Sequence, residues 1–269
     1  MRAKKISIVI PACNESGNIR PMLEALGTVL TTEYIYEIVF VDDGSTDNTL
    51  EILQDAAKGN NQVHYISFSR NFGHQNALKA GMDMSTGDCI ITLDADLQHP
   101  PELIPSMIKK WEEGFDVVYT RRQEDQKSGF FKRSTSRWFY RSMRRLSGLQ
   151  MESGIADFRL VSRPVADILS RFREPDLFLR GIIKWMGFKQ YAIDYTPGER
   201  FSGTTKYSEK KMIKLALQGI TSFSVRPLHF SIVLGSIITL ISLLYIPYVI
   251  WRACLGHVVA GWASTIMVI

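Results

Sequence analysis

A long uncharged segment near the end of the chain most constrains how this sequence can fold. Between Pro227 and Trp251 there is no Asp, Glu, Lys or Arg. Bilayer hydrocarbon is about 30 Å thick and needs roughly 20 apolar helical residues, so this segment is long enough to cross it. A buried helical hairpin in a soluble core is the alternative, but core helices rarely run this long without charge. Residues 227–251 are therefore predicted to form a transmembrane helix.

The flanking residues predict the orientation of that helix. Basic residues precede it at Lys210, Lys211, Lys214 and Arg226, whereas Arg252 alone follows it. Since Lys and Arg concentrate on the cytoplasmic side, residues 1–208 are expected to form a cytoplasmic domain. A second uncharged run, 253–269, is expected to be a second transmembrane helix that is truncated at Ile269. The short apolar run Ile6–Ile10 has no cleavage site after it and predicts a first strand rather than a signal peptide.

Two basic segments ahead of the span predict contact with a membrane surface. Lys127–Arg145 holds seven basic residues and no acidic one, interleaved with aromatic side chains, and a helix is expected at about 129–147. A second amphipathic helix is expected at 209–226. Both patterns are typical of helices on anionic headgroups, although a solvated basic face or a nucleic-acid patch would look similar. Because a span follows directly, the membrane interpretation is favoured and no nucleic-acid partner is expected.

Strands and helices alternate through the first half of the chain. Such alternation predicts an α/β fold with a mostly parallel, Rossmann-like sheet and helices on both faces. Ligands of these sheets bind beyond the carboxyl ends of the strands. The predicted strands are Ile6–Ile10, Ile38–Val41, Val63–Phe68, Cys89–Leu93 and Val117–Tyr119, and the helices between them Asn18–Leu30, Thr49–Lys58, Asn76–Met84 and Glu102–Glu113.

Polar residues follow all five predicted strands. They are Pro11–Glu15, Asp42–Asp47, Ser69–Gly73, Asp94–Gln98 and the pair Arg121 and Arg122. One such cluster is ordinary, because Asp and Ser cap helices, as Asp47 and Ser45 are expected to do here. Five clusters at one edge of a sheet predict a site for a charged ligand and a metal.

Asp94 and Asp96 are the sharpest of these signals. Two carboxylates one residue apart, directly after a strand, can face one divalent cation, and Gln98 could add an oxygen. Mg²⁺ prefers few carboxylates and shares its coordination with ligand phosphates, which it neutralises when a nucleotide diphosphate leaves. A turn and helix N-cap before Pro100 is the alternative for this pair taken alone.

Side chains after the other strands suit a nucleotide. Asp42 or Asp43 could accept hydrogen bonds from a base or a ribose hydroxyl. Arg70, Arg121 and Arg122 could clamp phosphates, because the guanidinium fork fits phosphate oxygens, or could be surface arginines. The three cysteines, Cys13, Cys89 and Cys254, have no metal or redox spacing and are expected to be reduced.

Six segments of the chain resemble one enzyme family. IVIPACNE, FVDDGSTDNT, SRNFGHQNALKAGMDMSTGD and TLDADLQHPPELI resemble the N-terminal half of family-two inverting glycosyltransferases of the GT-A fold. SGIADFRLVSR and GERFSGTTKYS resemble the polyprenyl-phosphate sugar transferases, namely dolichyl-phosphate mannose synthase and the bacterial undecaprenyl-phosphate glucosyltransferases. The resemblance implies transfer of one sugar from a nucleotide-diphosphate sugar, with UDP-glucose favoured, to a polyprenyl phosphate. It also implies a homo-oligomer in a bacterial inner membrane, with its catalytic domain in the cytoplasm.

The resemblance implies a role for individual residues. Asp94, Asp96 and Gln98 would hold Mg²⁺ or Mn²⁺. Asp157 would lie near the reacting centre, as a base or as an orienting group, and Arg200 and Lys206 would lie on a mobile loop over the diphosphate. Arg121, Arg122, Lys132 and Arg133 would bind the acceptor phosphate. The nucleotide-binding positions would be Pro11, Ala12, Cys13 (where a tyrosine is often found), Glu15, Asp42, Asp43, Arg70, Asp94, Ala95 and Asp96.

Two other functions share parts of this pattern. A processive polysaccharide synthase would carry the same N-terminal motifs and usually Gln-x-x-Arg-Trp, but here Ser134 stands at the glutamine position before Arg137 and Trp138. A non-catalytic nucleotide-sugar-binding membrane protein would be expected to lose the Asp94–Asp96 pair or the basic loop, and both are present. The sequence therefore favours transfer of a single sugar.

Overall fold

The computed structural model describes residues 3–30, 33–122, 154–174, 177–196 and 226–256. The chain forms two compact units, Met1–Phe223 and Ser224–Ile269. Several predicted features lie outside the described residues. These are the helix at 129–147, nearly all of the helix at 209–226, most of the second span at 253–269, and the residues Lys132, Arg133, Arg200 and Lys206.

The first unit contains a seven-stranded sheet flanked by helices. Its strands are β1 (Lys5–Ala12), β2 (Ile35–Asp42), β3 (Val63–Ser67), β4 (Cys89–Thr92), β5 (Val117–Arg122), β6 (Ile155–Ser162) and β7 (Gln190–Tyr195). Its helices are α1 (Ile19–Val29), α2 (Thr49–Gly59), α3 (His74–Met84), α4 (Ile104–Glu112), α5 (Arg163–Leu169) and α6 (Leu179–Trp185), with a 3₁₀ turn at Pro101–Leu103.

The strand order is β3-β2-β1-β4-β6-β5-β7, and strand β6 pairs antiparallel with both of its neighbours. All the other pairs are parallel, so the predicted mostly parallel sheet is confirmed. As a result, one edge of the sheet collects the carboxyl ends of β1, β2, β3, β4, β5 and β7 together with the amino end of β6. We call this the carboxyl edge, from Ala12, Asp42 and Thr92 to Ile155, and the opposite one the amino edge.

Apolar side chains cover the sheet on both faces. On β1, Ile8 and Ile10 pack into one core cluster with α1 and α4, whereas Val9 packs into a second cluster with α3, α5 and α6. Burial of each such side chain stabilises the fold by about 1.5–3 kcal/mol relative to exposure. Because both faces are covered, the central strands β1, β2 and β4 are mostly apolar and buried, as parallel strands usually are.

Element boundaries differ from the predictions near the carboxyl edge. Strand β1 extends through Pro11 and Ala12, which the sequence predicts to follow the strand. Pro11 is tolerated because β4 pairs with β1 only as far as Val9, so the missing N–H faces no partner strand. Arg121 and Arg122 likewise end β5 instead of following it, since β5 continues to pair with β7 up to Arg122.

The second unit contains α7 (Arg226–Cys254). The predicted helix at 227–251 is thus present, with Pro247 inside it. Its segment Leu228–Arg252 is long and apolar enough to cross a membrane, judged by length and composition alone. Large apolar side chains along it are exposed, among them Phe230 and Leu244. Membrane insertion of this helix stays a prediction.

Candidate active site

Strand pairing at the carboxyl edge brings Asp157 next to Asp94. Thr92 at the end of β4 pairs with Arg159 of the antiparallel strand β6, so Asp94, two residues after Thr92, and Asp157, two residues before Arg159, lie beyond the same end of this pairing. The hydroxyl of Thr92 donates a hydrogen bond of 2.5 Å to the backbone carbonyl of Asp157. Residues separated by more than sixty positions in the sequence therefore meet at the predicted edge.

The carboxylate of Asp157 is buried and surrounded by cationic donors. Arg180 on α6 donates from Nε to Oδ1 (2.8 Å) and from Nη2 to Oδ2 (2.7 Å), a two-point contact. Arg159 donates from Nη2 to Oδ1 at 3.2 Å. The side chain of Asp157 is 4% exposed, that of Arg159 5% and that of Arg180 25%. Of the two arginines, Arg180 is thus the one that also reaches solvent.

Helix α3 adds two further groups to this cluster. Nε2 of His74 lies 3.3 Å from Oδ2 of Asp157 and 3.5 Å from Oδ1 of Asp94, and Gln75 donates to Oδ2 of Asp157 at 3.2 Å. Burial alone would lower the pKa of His74, but the two carboxylates outweigh burial and raise it. Burial alone would raise the pKa of Asp157, but Arg180, His74 and Arg159 hold it well below its usual range. Asp157 is therefore ionised at neutral pH.

Asp43 fixes the start of α3. Its Oδ1 accepts hydrogen bonds from the backbone N–H of Phe72 (2.7 Å) and Gly73 (3.2 Å), and Oδ2 accepts from Gly73 at 3.0 Å. Gly73 has φ +98°, a conformation that side chains with a Cβ rarely adopt. Burial raises the pKa of Asp43, although these N–H groups oppose the rise. Asp43, which the sequence predicts to bind the nucleotide, thus binds the backbone N–H groups of Phe72 and Gly73. These contacts position His74, the next residue.

The loop after β2 packs tightly on the loop after β3. A Cβ at Gly44 (φ +65°) would lie 2.3 Å from the carbonyl carbon of Arg70, so only glycine fits. Asp42 is buried, and its two oxygens accept from the N–H of Ser45 (3.1 Å) and the hydroxyl of Ser67 (3.0 Å).

The capping prediction for that loop is partly wrong. Asp47 does accept the N–H of Thr49, the first residue of α2, at 3.0 Å. Ser45, however, accepts the N–H of Asn14 at 2.9 Å. It is therefore used to join the loops after β1 and β2 instead of capping the helix.

The loop after β4 presents the two carboxylates of the predicted metal site. Asp96 accepts the backbone N–H of Gln98 on Oδ1 at 3.1 Å, and Leu97 between them has φ +59°, which is uncommon for a residue with a side chain. The N–H of Asp94 donates to Nδ1 of His99 at 3.2 Å. The His99 ring is buried and stacks on Phe158, with ring centroids 5.4 Å apart. His99 therefore links this loop to β6.

These residues fit a hard divalent cation shared with a ligand. Oδ1 of Asp94 is buried and accepts no hydrogen bond from the described residues, and its nearest cationic group, Nε2 of His74, lies 3.5 Å away. A buried carboxylate oxygen without a hydrogen bond is costly, and a closer cation or donor would offset that cost. Within the described ranges, no three His, Cys, Asp or Glu side chains form a group that could hold a metal. Asp94 and Asp96 thus suit a cation that takes its remaining ligands from phosphate oxygens and water.

The other predicted ligand residues lie along the same edge. Cys13 Sγ is 3.3 Å from the side-chain nitrogen of Asn71, and Glu15 accepts from Asn18 at 2.5 Å. The guanidinium of Arg70 lies over the ring of Phe72. Arg121 pairs with Asp194 of β7 through Nε (2.6 Å) and Nη2 (3.0 Å). The predicted acceptor residue Arg121 is therefore held by a neighbouring strand.

The sequence alone did not single out five residues of the site: His74, Gln75, His99, Arg159 and Arg180. His74 and Gln75 follow β3 in a motif already noted, and His99 follows Gln98, so their positions after strands were a usable signal. Arg159 lies beside Asp157 in the ADFRL segment. Arg180 had a weaker signal, a single charge within the apolar run LFLRGII.

The chain belongs to glycosyl transferase family 2, whose profile matches residues 7–169, and it is a glycosyltransferase. It is 42% identical over 264 residues to an uncharacterized glycosyltransferase of Bacillus subtilis (strain 168), covering 97% of this chain and 82% of the relative. It is 38% identical over 265 residues to the prophage bactoprenol glucosyl transferase homolog of Escherichia coli (strain K12), covering 98% of this chain and 87% of the relative.

Solved structures establish the GT-A fold. Glucosyl-3-phosphoglycerate synthase of Mycobacterium tuberculosis, in complex with Mn²⁺, UDP and phosphoglyceric acid, superposes with a TM-score of 0.55 at 18% identity, covering 81% of this chain and 76% of that one. A mannosyltransferase of Pyrobaculum calidifontis, in complex with GDP-Man and Mn²⁺, superposes with a TM-score of 0.52 at 16% identity, covering 75% of this chain and 58% of that one.

Proposed function

We propose that this enzyme transfers one glucose from UDP-glucose to the phosphate of a polyprenyl phosphate, with inversion, at the cytoplasmic face of a membrane. One observation carries the proposal. The carboxyl edge joins an acidic loop, where Oδ1 of Asp94 accepts no hydrogen bond from the described residues, to buried basic side chains around Asp157. An acidic half suits a metal-bound donor diphosphate, and a basic half suits an acceptor that is itself an anion. The relatives named bactoprenol glucosyl transferase support glucose as the sugar and a polyprenyl lipid as the acceptor.

The donor half is assigned to the loops after β1, β2 and β4. Pro11, Ala12, Cys13, Glu15 and Asp42 would face the nucleoside, with Asp43 and Arg70 supporting them. Asp94, Asp96 and Gln98 would hold Mg²⁺ or Mn²⁺, which neutralises the nucleotide diphosphate as it leaves. The Mn²⁺ and nucleotide found with structurally similar transferases support this assignment.

In the acceptor half, the reaction needs no strong base. An oxygen of the lipid phosphate attacks the anomeric carbon, the bond from that carbon to the diphosphate breaks, and the nucleotide diphosphate departs with the electron pair. A phosphate monoester is already anionic at pH 7, since its second pKa is about 6. Arg180, His74 and Arg159 hold the pKa of Asp157 well below its usual range, which makes it a weak proton acceptor, so we assign it as an orienting group. Its role is to hold those cations in place.

The membrane assignment follows from the acceptor. A polyprenyl chain stays in the bilayer, so its phosphate is presented at headgroup depth. The apolar segment Leu228–Arg252 and the basic segment 127–145 would keep the enzyme at that surface. The homo-oligomer implied by the family resemblance stays a prediction.

The test is a donor and acceptor screen with the purified full chain in detergent. UDP-glucose, UDP-galactose and GDP-mannose are each offered with Mn²⁺ and undecaprenyl phosphate, and with undecaprenol as the acceptor control. We expect glucosyl phosphate lipid from UDP-glucose and undecaprenyl phosphate only. NMR of the product should show that the anomeric configuration is inverted relative to the donor. Product with undecaprenol, retained configuration, or preference for another donor would contradict the corresponding part of the proposal.

A further inference from the structure

The side-chain amide of Gln75 has only one of its two ends hydrogen-bonded. Gln75 is the second residue of α3, directly after His74. Its Nε2 donates a hydrogen bond of 3.2 Å to Oδ2 of Asp157. Its Oε1 is buried and accepts no hydrogen bond from the described residues. A buried amide oxygen without a donor costs free energy, and a ligand group that donates to it would recover that cost.

The charge of Asp157 determines which end of the amide faces it. Burial alone would raise the pKa of Asp157, but its arginine and histidine neighbours hold it well below its usual range. The carboxylate is therefore ionised and can only accept hydrogen bonds. The NH₂ end of Gln75 must face it, and Oε1 must point away from it. A flipped amide would bring two acceptor oxygens together.

The start of α3 holds this amide in place. Asp43 accepts the backbone N–H groups of Phe72 and Gly73, which fixes the turn that leads into the helix. Ala77 and Leu78, a little further along α3, are buried in the core. An amide that is fixed at its backbone and at its NH₂ end loses little conformational freedom when its oxygen binds a ligand.

The chemistry of the substrates identifies the group that Oε1 can bind. An amide oxygen accepts from N–H or O–H groups, or coordinates a hard cation. The lipid phosphate is anionic at pH 7 and presents acceptor oxygens, as the donor diphosphate does. The donor groups of a nucleotide-diphosphate sugar are the N–H of its base and the hydroxyls of its ribose and its sugar. Oε1 therefore suits the nucleotide sugar and not the acceptor phosphate.

The neighbours of Gln75 place its amide on the sugar side of the donor. Nε2 of His74 lies 3.3 Å from the same Oδ2 of Asp157 and 3.5 Å from Oδ1 of Asp94, the carboxylate assigned to the diphosphate. The nucleoside is assigned to the loops after β1 and β2, and the sugar is bonded to the opposite end of the diphosphate. Under that assignment, the part of the donor between Asp94 and Asp157 is the transferred sugar.

We propose that Oε1 of Gln75 accepts a hydrogen bond from one hydroxyl of the transferred sugar, so that Gln75 contributes to the choice of sugar. This inference rests on the proposed function, because it concerns the donor of that reaction. A hydroxyl of the ribose has the same chemistry as a hydroxyl of the sugar, and the experiment separates the two sources.

The experiment is a double-mutant cycle between Gln75 and the hydroxyls of the sugar, with the purified full chain in detergent. Gln75→Met keeps the length of the side chain and removes the amide. Gln62→Met, at an exposed position between α2 and β3, is the matched control. Each enzyme is assayed with Mn²⁺ and undecaprenyl phosphate, and the donors are UDP-glucose and its 2-, 3-, 4- and 6-deoxy analogues. The affinities for UDP and for each donor are measured without lipid.

The unmodified enzyme should use one of the deoxy donors about 10- to 100-fold less well than UDP-glucose in kcat/KM, because that donor leaves Oε1 unpaired. Gln75→Met should lose activity with every donor through its lost contact with Asp157, but should discriminate against that one deoxy donor by less than about threefold. Its affinity for UDP should stay within about twofold of the unmodified enzyme. Gln62→Met should match the unmodified enzyme with every donor.

Three results would overturn the proposal. Equal losses in Gln75→Met with all donors, and unchanged discrimination among them, would leave Gln75 only the role of holding Asp157. A loss of UDP affinity as large as the loss in kcat/KM would place Oε1 on the nucleoside. A higher Mn²⁺ requirement, equal for every donor, would place Oε1 on the metal.

Failure of the proposed function is seen separately, with the unmodified enzyme. Preference for another sugar, or no glucosyl lipid, contradicts that function before any variant is assayed. In either case the cycle is repeated with the deoxy analogues of the preferred sugar and is read from the donor affinities. The coupling of Gln75 to one hydroxyl then stands or falls by itself.

Discussion

Two buried carboxylates, Glu37 and Asp157, lie at opposite edges of the same sheet and are stabilised in different ways. Glu37, on β2 at the amino edge, accepts hydrogen bonds from the hydroxyl of Ser7 (2.5 Å) and from the N–H (2.6 Å) and hydroxyl (2.9 Å) of Thr86, and it pairs with Lys5. The Glu37 carboxylate is thus paired with one cation, Lys5, and accepts hydrogen bonds from neutral groups of Ser7 and Thr86. The protein itself supplies all of these partners.

The groups at the carboxyl edge are less completely paired. Asp157 accepts from two guanidinium groups and shares the imidazole of His74 with Asp94, but Oδ1 of Asp94 and Oε1 of Gln75 accept no hydrogen bond from the described residues. Buried oxygens without hydrogen bonds cost stability unless a ligand completes them. The amino edge is therefore built for stability, whereas the carboxyl edge is built for binding, and each edge should respond to mutation accordingly.

The largest expected effect is on turnover at the carboxyl edge. Asp96→Asn keeps the side-chain oxygen that accepts the N–H of Gln98 but removes the charge offered to a cation. We expect glucosyl transfer to fall by about 1,000-fold, since a metal ion contributes several kcal/mol to stabilising a leaving group. The unfolding midpoint should not change. The measurement is initial rate over a Mn²⁺ titration, with Asp55→Asn on α2 as the control.

Chelation provides an independent check on that prediction. Enzyme treated with EDTA should lose activity and recover it on addition of Mg²⁺ or Mn²⁺. Full turnover after exhaustive chelation would show that Asp94 and Asp96 act without a cation.

The next effect is on stability at the amino edge. Burial alone would raise the pKa of Glu37, but hydrogen bonds from Lys5, Ser7 and Thr86 lower it from 4.5 to about 2. A lowered folded-state pKa contributes stability that is present above about pH 4.5 and lost as the pH falls through 2. We expect Glu37→Gln to lower the free energy of unfolding by about 3 kcal/mol at pH 7, with the difference from the unmodified enzyme vanishing near pH 2.

The check is urea unfolding of the full chain in detergent at several pH values, followed by tryptophan fluorescence. Glu51→Gln, at an exposed position of α2, is the control. Turnover per folded molecule should stay unchanged in Glu37→Gln. A loss of turnover without a loss of stability would reverse the assignment of the two edges.

The elements of the sheet could be predicted from the sequence because their signals are local. Apolar runs of four to eight residues and the helical periodicity between them located β1 to β5 and α1 to α4 within a few residues. The end of β1 was missed because a proline usually marks the end of a central strand. Here it is compatible with the strand, since β4 stops pairing at Val9.

The site was harder to predict, since its contacts join distant segments. Asp94 and Asp157 could be named from their motifs, but the bonds of Asp157 to Arg180 and Gln75 depend on the antiparallel insertion of β6 between β4 and β5. No local pattern encodes that strand order. Asp43 illustrates a second difficulty, because a carboxylate after a strand can serve the main chain as well as a ligand.

A smaller effect is the coupling between Asp157 and Arg180. If Asp157 acts by holding Arg180, then Asp157→Asn and Arg180→Gln remove the same function. The double variant should lose no more lipid transfer than the worse single variant, a coupling of about 1–3 kcal/mol. Rates are normalised to folded protein, because Asp157→Asn leaves Arg159 without its charge partner. Multiplicative losses would show that Asp157 acts independently of Arg180, and a pH–rate profile whose acidic limb disappears in Asp157→Asn would show that Asp157 is a general base.

The smallest effect is expected where the carboxyl edge meets solvent, at the pair formed by Arg121 and Asp194. Both side chains are about 40% exposed, and the hydrogen bond from Arg121 lowers the pKa of Asp194. Exposed ion pairs are screened by salt and contribute little. Asp194→Asn should therefore leave the unfolding midpoint unchanged and shift KM for undecaprenyl phosphate by less than about twofold. The assay is repeated at low and high salt. A shift of more than about fivefold at low salt that disappears at high salt would instead place Arg121 at the acceptor phosphate, as the sequence predicts.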